Sequence, residues 1–235
     1  MTGSIRLFTT EDLSLGHGFA ATPEQAHYLG AVMRREAGSD VLLFNGRDGE
    51  FRCEIASLRK DRGQFVPRAQ TRAQQALPPL TLVFAPLKRD TTHLVIEKAT
   101  ELGATRILPV FTDRTNAARI NLDRCLAIAR EAAEQCERLC IPDIAEPVRL
   151  FDLLGAWPAS ETLSAAIERS GAPWPGQRAK PGALLVGPEG GFTPTELDAL
   201  RRLPFIEPIG LGPRILRAET AAIVGLALLQ ASTYG

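Results

Sequence analysis

The sequence is poor in cysteine, in aromatic residues and in long apolar runs, and each shortage excludes a class of protein. Four cysteines in 235 residues do not form a disulfide framework. No Cys-x-x-Cys spacing accompanies the three scattered histidines, so we expect no metal site. Aromatic residues make up 6% of the chain, too few for a platform that stacks naked single strands. The longest apolar run, 221–229, is less than half of the about 20 residues that span a bilayer, so we expect no membrane insertion.

An excess of one charge is absent as well, because 27 Lys and Arg balance 27 Asp and Glu. This balance excludes an extremely basic or acidic protein but leaves room for local patches. Arginine outnumbers lysine among the basic residues, which suits phosphate recognition, although a preference for arginine codons explains the same excess more simply. The N-terminus has neither an apolar signal region nor a cleavage site, and the few cysteines fit a reducing compartment, so we expect a cytoplasmic protein.

The loops that mark several common enzyme classes are also missing. The sequence contains no G-x-x-x-x-G-K-[ST] and no G-x-G-x-x-G between a strand and a helix. It contains no G-x-S-x-G and no H-E-x-x-H either. A P-loop ATPase, a standard dinucleotide enzyme, a serine hydrolase and a zincin therefore lose their main support.

Residues 1–72 have the pattern of a small β-rich domain. The stretch 40–45 predicts a strand, and residues 51–55 alternate between apolar and charged side chains with a period of two. A capping box that begins at Thr22, with proline at the first helical position, predicts one helix in this domain. Residues 73–79 contain two glutamines and end in two prolines, so we interpret them as a linker.

From residue 80 to residue 235, predicted strands and helices alternate. Apolar runs and 3.6-residue periodicity predict these elements: strand 80–85, a helix from 90 to Gly103, strand 106–110, helix 121–140, strands 162–167 and 182–187, helix 194–202, strand 205–209 and helix 218–230. Such alternation is typical of a mostly parallel sheet with helices on both faces. We therefore predict an α/β fold for this domain.

Two glycine-rich loops, 187–192 and 210–217, leave predicted strands of this sheet and enter helices. In an open α/β sheet, ligands bind outside the carboxyl ends of the strands. Glycine allows the main chain to approach a flat ligand, and a helix N-terminus receives a carboxylate. One such loop alone is explained equally well by a tight connection, but two neighbouring loops favour a ligand site.

These loops and several other segments resemble the 16S ribosomal RNA uracil-N3 methyltransferase family, which belongs to the knotted SPOUT superfamily. The specific matches are Leu185–Phe192 with Glu196 and the stretch Leu211–Ala221. Weaker matches extend the resemblance over essentially the whole chain: 96–104, 134–138, 27–29, 32–34 and 43–46. One departure is Ala218, which stands where the family usually has threonine or serine.

The resemblance implies a PUA-like, RNA-binding β-barrel domain in front of a trefoil-knotted methyltransferase domain that acts as a homodimer. The implied cofactor is S-adenosylmethionine, and the implied reaction methylates N3 of a uridine in 16S ribosomal RNA. Because aromatic residues are few, we expect a structured RNA or a whole 30S particle as the substrate rather than naked single strands. Two alternatives stay open from the residues alone. One is a SPOUT methyltransferase acting on transfer RNA or another ribosomal base, and the other is a non-catalytic RNA-binding protein.

The predicted cofactor residues lie in the two loops and in a short segment after strand 162–167. They are Ile167, Glu168, Val186, Gly187, Pro188, Glu189, Gly190, Gly191, Ile209, Gly210, Leu211, Gly212, Ile215, Leu216, Arg217, Glu219, Thr220 and Ala221. For catalysis the candidates are Arg217 and Arg6, which would stabilise negative charge on the base, and Glu189, which would orient the base or accept its proton.

RNA contact is predicted for basic residues of the N-terminal domain. The run 52–72 carries six Lys and Arg against Glu54 and Asp61, although a solvated domain edge would look similar. The predicted RNA-binding residues are Arg6, Arg34, Arg35, Arg59, Lys60 and Arg62.

Overall fold

The structure is a computed structural model that describes residues 5–117, 119–168, 171–172 and 182–234. The first four residues, part of the N-terminal segment interpreted above, lie outside this set. The chain forms two compact units. One comprises residues 1–76 with 133–141, and the other 77–132 with 142–235.

The first unit is built on a five-stranded sheet with the order β1-β3-β4-β5-β2. Its strands are β1 (Arg6–Phe8), β2 (Phe19–Ala20), β3 (Asp40–Phe44), β4 (Glu50–Arg59) and β5 (Arg62–Arg72). Only β1 and β3 pair in parallel, and the other three pairs are antiparallel. Alternate apolar side chains of these strands, such as Leu43, Ile55 and Phe65, are fully buried in one core.

A short helix, α1 (Pro23–His27), packs against β4 and β5, and its start matches the sequence prediction. Thr22 and Gln25 form the capping box, with Pro23 in the first turn. The chain continues into a π-helical turn, Tyr28–Val32, and then reaches Arg34, whose φ of 51° lies in the left-handed region.

The second unit alternates strands and helices as the sequence predicted. Its elements are β6 (Thr81–Phe84), α2 (Arg89–Glu101), β7 (Arg106–Phe111), α3 (Leu122–Gln135), β8 (Asp143–Ile144), β9 (Val148–Arg149), α4 (Leu150–Ala156), β10 (Leu163–Ala166), β11 (Ala183–Val186), α5 (Pro194–Arg202), β12 (Ile206–Ile209) and α6 (Ala218–Tyr234).

All strand pairs of this second sheet are parallel, and the main order is β12-β10-β11-β6-β7-β8. Helices cover both faces, as two neighbours in β11 show. Leu185 belongs to a core with residues of α4 and α5, whereas Leu184 lies beside Gly225 of α6. The predicted α/β class with a mostly parallel sheet is confirmed, and the trefoil knot stays a prediction.

One predicted helix was too long. The apolar stripe predicted a helix over 121–140, but α3 ends at Gln135, and Glu137 follows with a φ of 62°. Residues 133–141 belong to the first unit. The apolar side chains beyond Gln135 therefore continue the stripe without extending the helix.

Gly225 gives a stability prediction, because a Cβ on it would lie 2.6 Å from a methyl carbon of the fully buried Leu184. We expect Gly225→Ala to lower the free energy of unfolding by about 1 kcal/mol or more, since crowding outweighs the gain in helix propensity. Gly155 of α4 is the matched control, because nothing lies near its added Cβ. Gly155→Ala should stabilise by about 0.5 kcal/mol. Denaturant unfolding measures both, and an unchanged midpoint for Gly225→Ala would refute the crowding.

Candidate functional site

A cavity of about 980 Å³ lies at the carboxyl edge of the parallel sheet. The strands β10, β11 and β12 end there in register, because Ala166 pairs with both Val186 and Ile209. The segments that follow these three strands line the cavity together. The sheet topology thus brings together loops that are far apart in sequence.

The structure places nearly all predicted cofactor residues around this cavity. Each of them lines it except Thr220, which lies in the first turn of α6. The two glycine-rich loops and the short segment Ile167–Glu168 therefore form one site rather than three separate turns.

The loop 187–192 is shaped by a tight turn and by an aromatic side chain. The N–H of Gly191 donates to the carbonyl of Pro188 at 2.9 Å, and Gly191 has a φ of 66°, which favours glycine. A Cβ on Gly187 would lie 3.0 Å from the ring of the buried Phe192. Glycine at 187 thus lets the main chain lie directly on this ring.

The buried carboxylate of Glu196 fixes the end of the loop 187–192. Its carboxylate is 1% exposed and accepts hydrogen bonds from the N–H of Thr193 at 2.7 Å and from the N–H of Asp113 at 2.9 Å. The first bond completes a capping box at the start of α5, and the second ties in the segment after β7. Glu196 therefore positions two cavity segments without facing a ligand.

Outside the two glycine-rich loops, sequence reasoning missed four polar residues that line the cavity: Lys88, Thr91, Arg114 and Asn116. They follow β6 and β7, or lie in the first turn of α2. Arg114 donates from Nη1 to the carbonyl of Gly190 at 2.8 Å, so it also supports the loop 187–192. No glycine motif marks these segments. The sequence signal that could have indicated them was their position after predicted strands of the same parallel sheet.

Arg217 and Glu189 both line the cavity and are exposed. Arg217 immediately precedes α6, and its carbonyl accepts the N–H of Ala221 at 2.8 Å. Neither side chain makes a hydrogen bond or ion pair with the part of the chain that the structure describes. Both are therefore available to a substrate.

Arg6 has a different environment from the one predicted for a catalytic or RNA-binding group. Its side chain is 5% exposed, and Nε donates to Glu50 at 2.6 Å. The two terminal nitrogens donate to the carbonyls of Ala133, Glu134 and Arg138 at 3.0–3.2 Å. All three nitrogens are thus bound by protein groups, so the structure gives Arg6 a structural part in the first unit.

The remaining predicted RNA-binding residues lie on the surface of the first unit. Arg59, Lys60 and Arg62 form the exposed tip of the β4–β5 hairpin, where Arg59 pairs in register with Arg62. These three make no ion pair within the described ranges. By contrast, the other basic residues of the run 52–72 are bound to carboxylates, namely Arg52 to Asp40, Arg68 to Glu54 and Arg72 to Glu50.

Arg34 and Arg35 follow the π-helical turn. Arg34 is exposed and Arg35 is half-buried, with its Nε lacking a hydrogen-bond partner among the described residues. Like the basic residues of the β4–β5 tip, Arg34 makes no ion pair within the described ranges.

Other chemistry finds little support in the described residues. Burial raises the pKa of Cys53 to about 12 and also raises the pKa of Cys125, so neither is a nucleophile. Across residues 5–117, 119–168, 171–172 and 182–234, no group of three or more His, Cys, Asp or Glu is placed to hold a metal. Over the same ranges, no helix has the length and apolar character needed to span a bilayer.

A parallel α/β sheet with glycine loops around a cavity at its carboxyl edge is typical of a domain that binds a small molecule. Comparison with protein families makes this specific. An RNA methyltransferase domain model matches residues 74–230, and an RNA methyltransferase PUA domain model matches residues 21–67. The chain is 34% identical over 221 residues to the ribosomal RNA small subunit methyltransferase E of Rickettsia conorii, covering 88% of this chain and 86% of that one.

Solved structures agree with this comparison. A methyltransferase of Legionella pneumophila in complex with S-adenosylmethionine has a TM-score of 0.86 and 30% identity, and the match covers 98% of each chain. The ribosomal RNA small subunit methyltransferase E of Neisseria gonorrhoeae, bound to S-adenosylmethionine, has a TM-score of 0.87 and 26% identity over 97% of this chain and 98% of that one. The chain belongs to the ribosomal RNA small subunit methyltransferase E family. The family resemblance seen in the two C-terminal motifs is confirmed.

Proposed function

We propose that the protein transfers a methyl group from S-adenosylmethionine to N3 of a uridine in 16S ribosomal RNA, within the small ribosomal subunit. The observation that carries this proposal is the cavity at the ends of β10, β11 and β12, which collects both family motifs. Family membership supports the ribosomal RNA substrate. The protein then acts in the cytoplasm, because its substrate is the ribosomal subunit.

The cavity fits S-adenosylmethionine in size and in chemistry. Its volume of about 980 Å³ is at the upper end of the range for small-molecule sites. Apolar side chains, including Ile167, Leu211 and Ile215, offer surfaces for an adenine ring, and the glycine loops offer backbone N–H and C=O groups. The carboxylates of Glu168 and Glu219 also line the cavity and would bind hydroxyl or ammonium groups. When bound, the cofactor supplies an electrophilic methyl group on a sulfonium.

The protein side of the reaction is mainly positioning, because methyl transfer from a sulfonium is an in-line displacement. The N3–H of uridine lies on its Watson–Crick edge, so the base must be unpaired or extruded. As the proton leaves, negative charge develops on the ring oxygens, and the exposed guanidinium of Arg217 would stabilise it. Glu189 would orient the base or accept the proton.

Methylation of purified 30S subunits and of free 16S RNA tests the proposal. Both substrates come from cells that lack the modification, and the methyl group is labelled. We expect label on one uridine of the 16S RNA, assigned to N3 by nuclease digestion and mass mapping. Label on another base or only on transfer RNA would contradict the proposed substrate, and no transfer to any RNA would contradict the proposed activity.

Cofactor binding can be tested apart from catalysis. We expect S-adenosylmethionine to bind in calorimetry and S-adenosylhomocysteine to compete. Gly190→Val should weaken binding by about tenfold, or about 1.4 kcal/mol, because its methyl groups would crowd Arg114 and the cavity. A Cβ at 190 would lie 3.4 Å from Arg114, an ordinary contact, so the fold should survive. Gly155→Ala is the control, and equal affinities for both variants would contradict the site.

A homodimer is part of the proposal, because α6 has almost no polar face. Ala222, Leu226 and Leu229 are buried, whereas a second set of apolar residues is only half-buried, namely Ile223, Val224, Ala227 and Leu228. A helix that is apolar on nearly every side requires cover, and a second copy of the chain would supply it. We expect sedimentation to show a dimer at about micromolar concentration. Leu228→Glu should give monomers, and a monomeric wild type would contradict this part.

A further inference from the structure

A second cavity of about 1000 Å³ lies beside the cofactor cavity in the same unit. Lys88 and Asn116 line both cavities, so the two adjoin. The second cavity is formed by the segment before α2, the first turns of α2, the segment that leads into α3, and the first turn of α3. None of the residues predicted from the sequence for cofactor, RNA or catalysis lines it.

The lining of this second cavity is strongly basic. Its lining contains one carboxylate, that of Asp90, and five basic residues: Lys88, Arg89, His93, Arg119 and Arg124. Arg89 is paired with Asp90 at 3.1 Å and Arg124 with Glu131 at 3.6 Å, both in exposed positions where ion pairs contribute little. Lys88 and Arg119 are exposed and have no ion pair within the described ranges. The cavity therefore presents an excess of positive charge.

Two further features of this cavity suit a polyanion that also carries flat or apolar groups. The lining also contains the buried Leu87 and the half-buried Ile120, which give apolar surface between the basic groups. The N-terminus of α2 has no side-chain cap, whereas Asn121 caps α3 by accepting the N–H of Arg124 at 3.0 Å. Uncapped N–H groups at the start of α2 thus add to the positive potential.

The segment that precedes α2 is fixed by hydrogen bonds, so this basic surface is preorganised. The hydroxyl of the buried Thr92 donates to the carbonyl of Leu87 at 3.0 Å and accepts its N–H at 2.9 Å. These two bonds fix the segment that carries Lys88. A preformed basic surface loses less entropy on binding a polyanion than a flexible one does.

We propose that this basic cavity binds the phosphate backbone of the substrate RNA next to the nucleotide that is methylated. The inference rests on the proposed function, and it assigns a binding surface on the methyltransferase unit itself. Because the two cavities share Lys88 and Asn116, a base in the first cavity would leave its neighbouring phosphates at the second.

The test compares two double variants that remove the same charge. Arg119→Gln with Arg124→Gln changes the basic cavity, and Arg201→Gln with Arg202→Gln changes two exposed residues at the end of α5, outside both cavities. We expect the cavity variant to bind 16S RNA about tenfold more weakly and to show a salt slope smaller by roughly two. The control variant should retain wild-type values. Affinity for S-adenosylmethionine, measured by calorimetry, should be the same in all three proteins.

Several outcomes separate this inference from its alternatives. Arg119→Lys with Arg124→Lys should restore most of the RNA affinity, because charge rather than shape is required. If the cavity variant and the control bind RNA equally, the inference is overturned. It is also overturned if the cavity variant loses binding of inorganic phosphate but not of RNA. RNA binding is measured without methyl transfer, so a wild type that binds RNA but never methylates it contradicts only the proposed function.

Discussion

Replacing Arg217 by alanine should lower the single-turnover rate of methylation at saturating RNA by about two orders of magnitude. Arg217 lines the cavity proposed for the cofactor, is exposed, and makes no ion pair within the described residues. A cation in this position has its largest effect when negative charge develops on the uridine oxygens, which happens only in the transition state. The measurement is a rapid-quench time course on 30S subunits with bound cofactor.

A contrasting variant separates this role from RNA affinity. Replacement of Arg59, Lys60 and Arg62 by alanine removes the charged tip of the β4–β5 hairpin. We expect this triple variant to bind RNA more weakly, with a salt slope smaller by roughly one per charge, and to recover its rate at high RNA concentration. If more RNA also restores the rate of Arg217→Ala, then Arg217 binds substrate and does not stabilise the transition state.

The two glycine-rich loops were predictable from the sequence because each is marked by residues close together in the chain. Glycines at 187, 190 and 191 follow a continuous apolar strand and precede a capped helix, and each of these signals involves near neighbours. The order of the strands in the sheet, by contrast, depends on pairing between residues far apart in the chain. Only the observed sheet shows that β10 lies between β11 and β12, and this order brings Ile167 and Glu168 to the two loops.

Lys88 and Arg114 escaped prediction for the same reason. Each is a single basic residue after an ordinary strand, and a basic residue in a loop is usually only solvated. Their part in the site follows from the parallel sheet, which sends the segments after β6, β7 and β11 to one edge. The hydrogen bond from Arg114 to Gly190 joins residues 76 positions apart, beyond the reach of any periodicity.

The end of α3 illustrates a different limit. Its apolar stripe continues past Gln135 with helical spacing, but Glu137 is in the left-handed region and Arg6 takes up nearby carbonyls. A guanidinium that binds free carbonyls at a helix end can replace further helical turns. The sequence showed an isolated arginine near the N-terminus, and its partner Glu50 is 44 residues away.

Glu50 is the acceptor shared by a partly buried cluster that also contains Arg6, Thr71 and Arg72. Glu50→Ala should lower the free energy of unfolding by about 3–5 kcal/mol. Its carboxylate is 5% exposed and accepts hydrogen bonds from Arg6, from Arg72 at 2.8 Å and from Thr71 at 2.8 Å. Burial alone would raise the pKa of Glu50, but the bonds from Arg72, Arg6 and Thr71 outweigh burial, so the pKa is lowered. Without Glu50 the buried guanidinium of Arg6 would lose the carboxylate with which it forms its ion pair.

Glu54 supplies the matched control for this variant, because it lies on the same strand and pairs with Arg68 at 2.9 Å in an exposed position. Glu54→Ala should cost about 0–1 kcal/mol in the same denaturant titration. Since the folded pKa of Glu50 is lowered, its contribution is complete above the ordinary value of 4.5 and is lost as the pH falls below it. The stability difference between wild type and Glu50→Ala should therefore shrink in acid. Equal costs for the two variants at neutral pH would show that the buried cluster adds nothing beyond a surface ion pair.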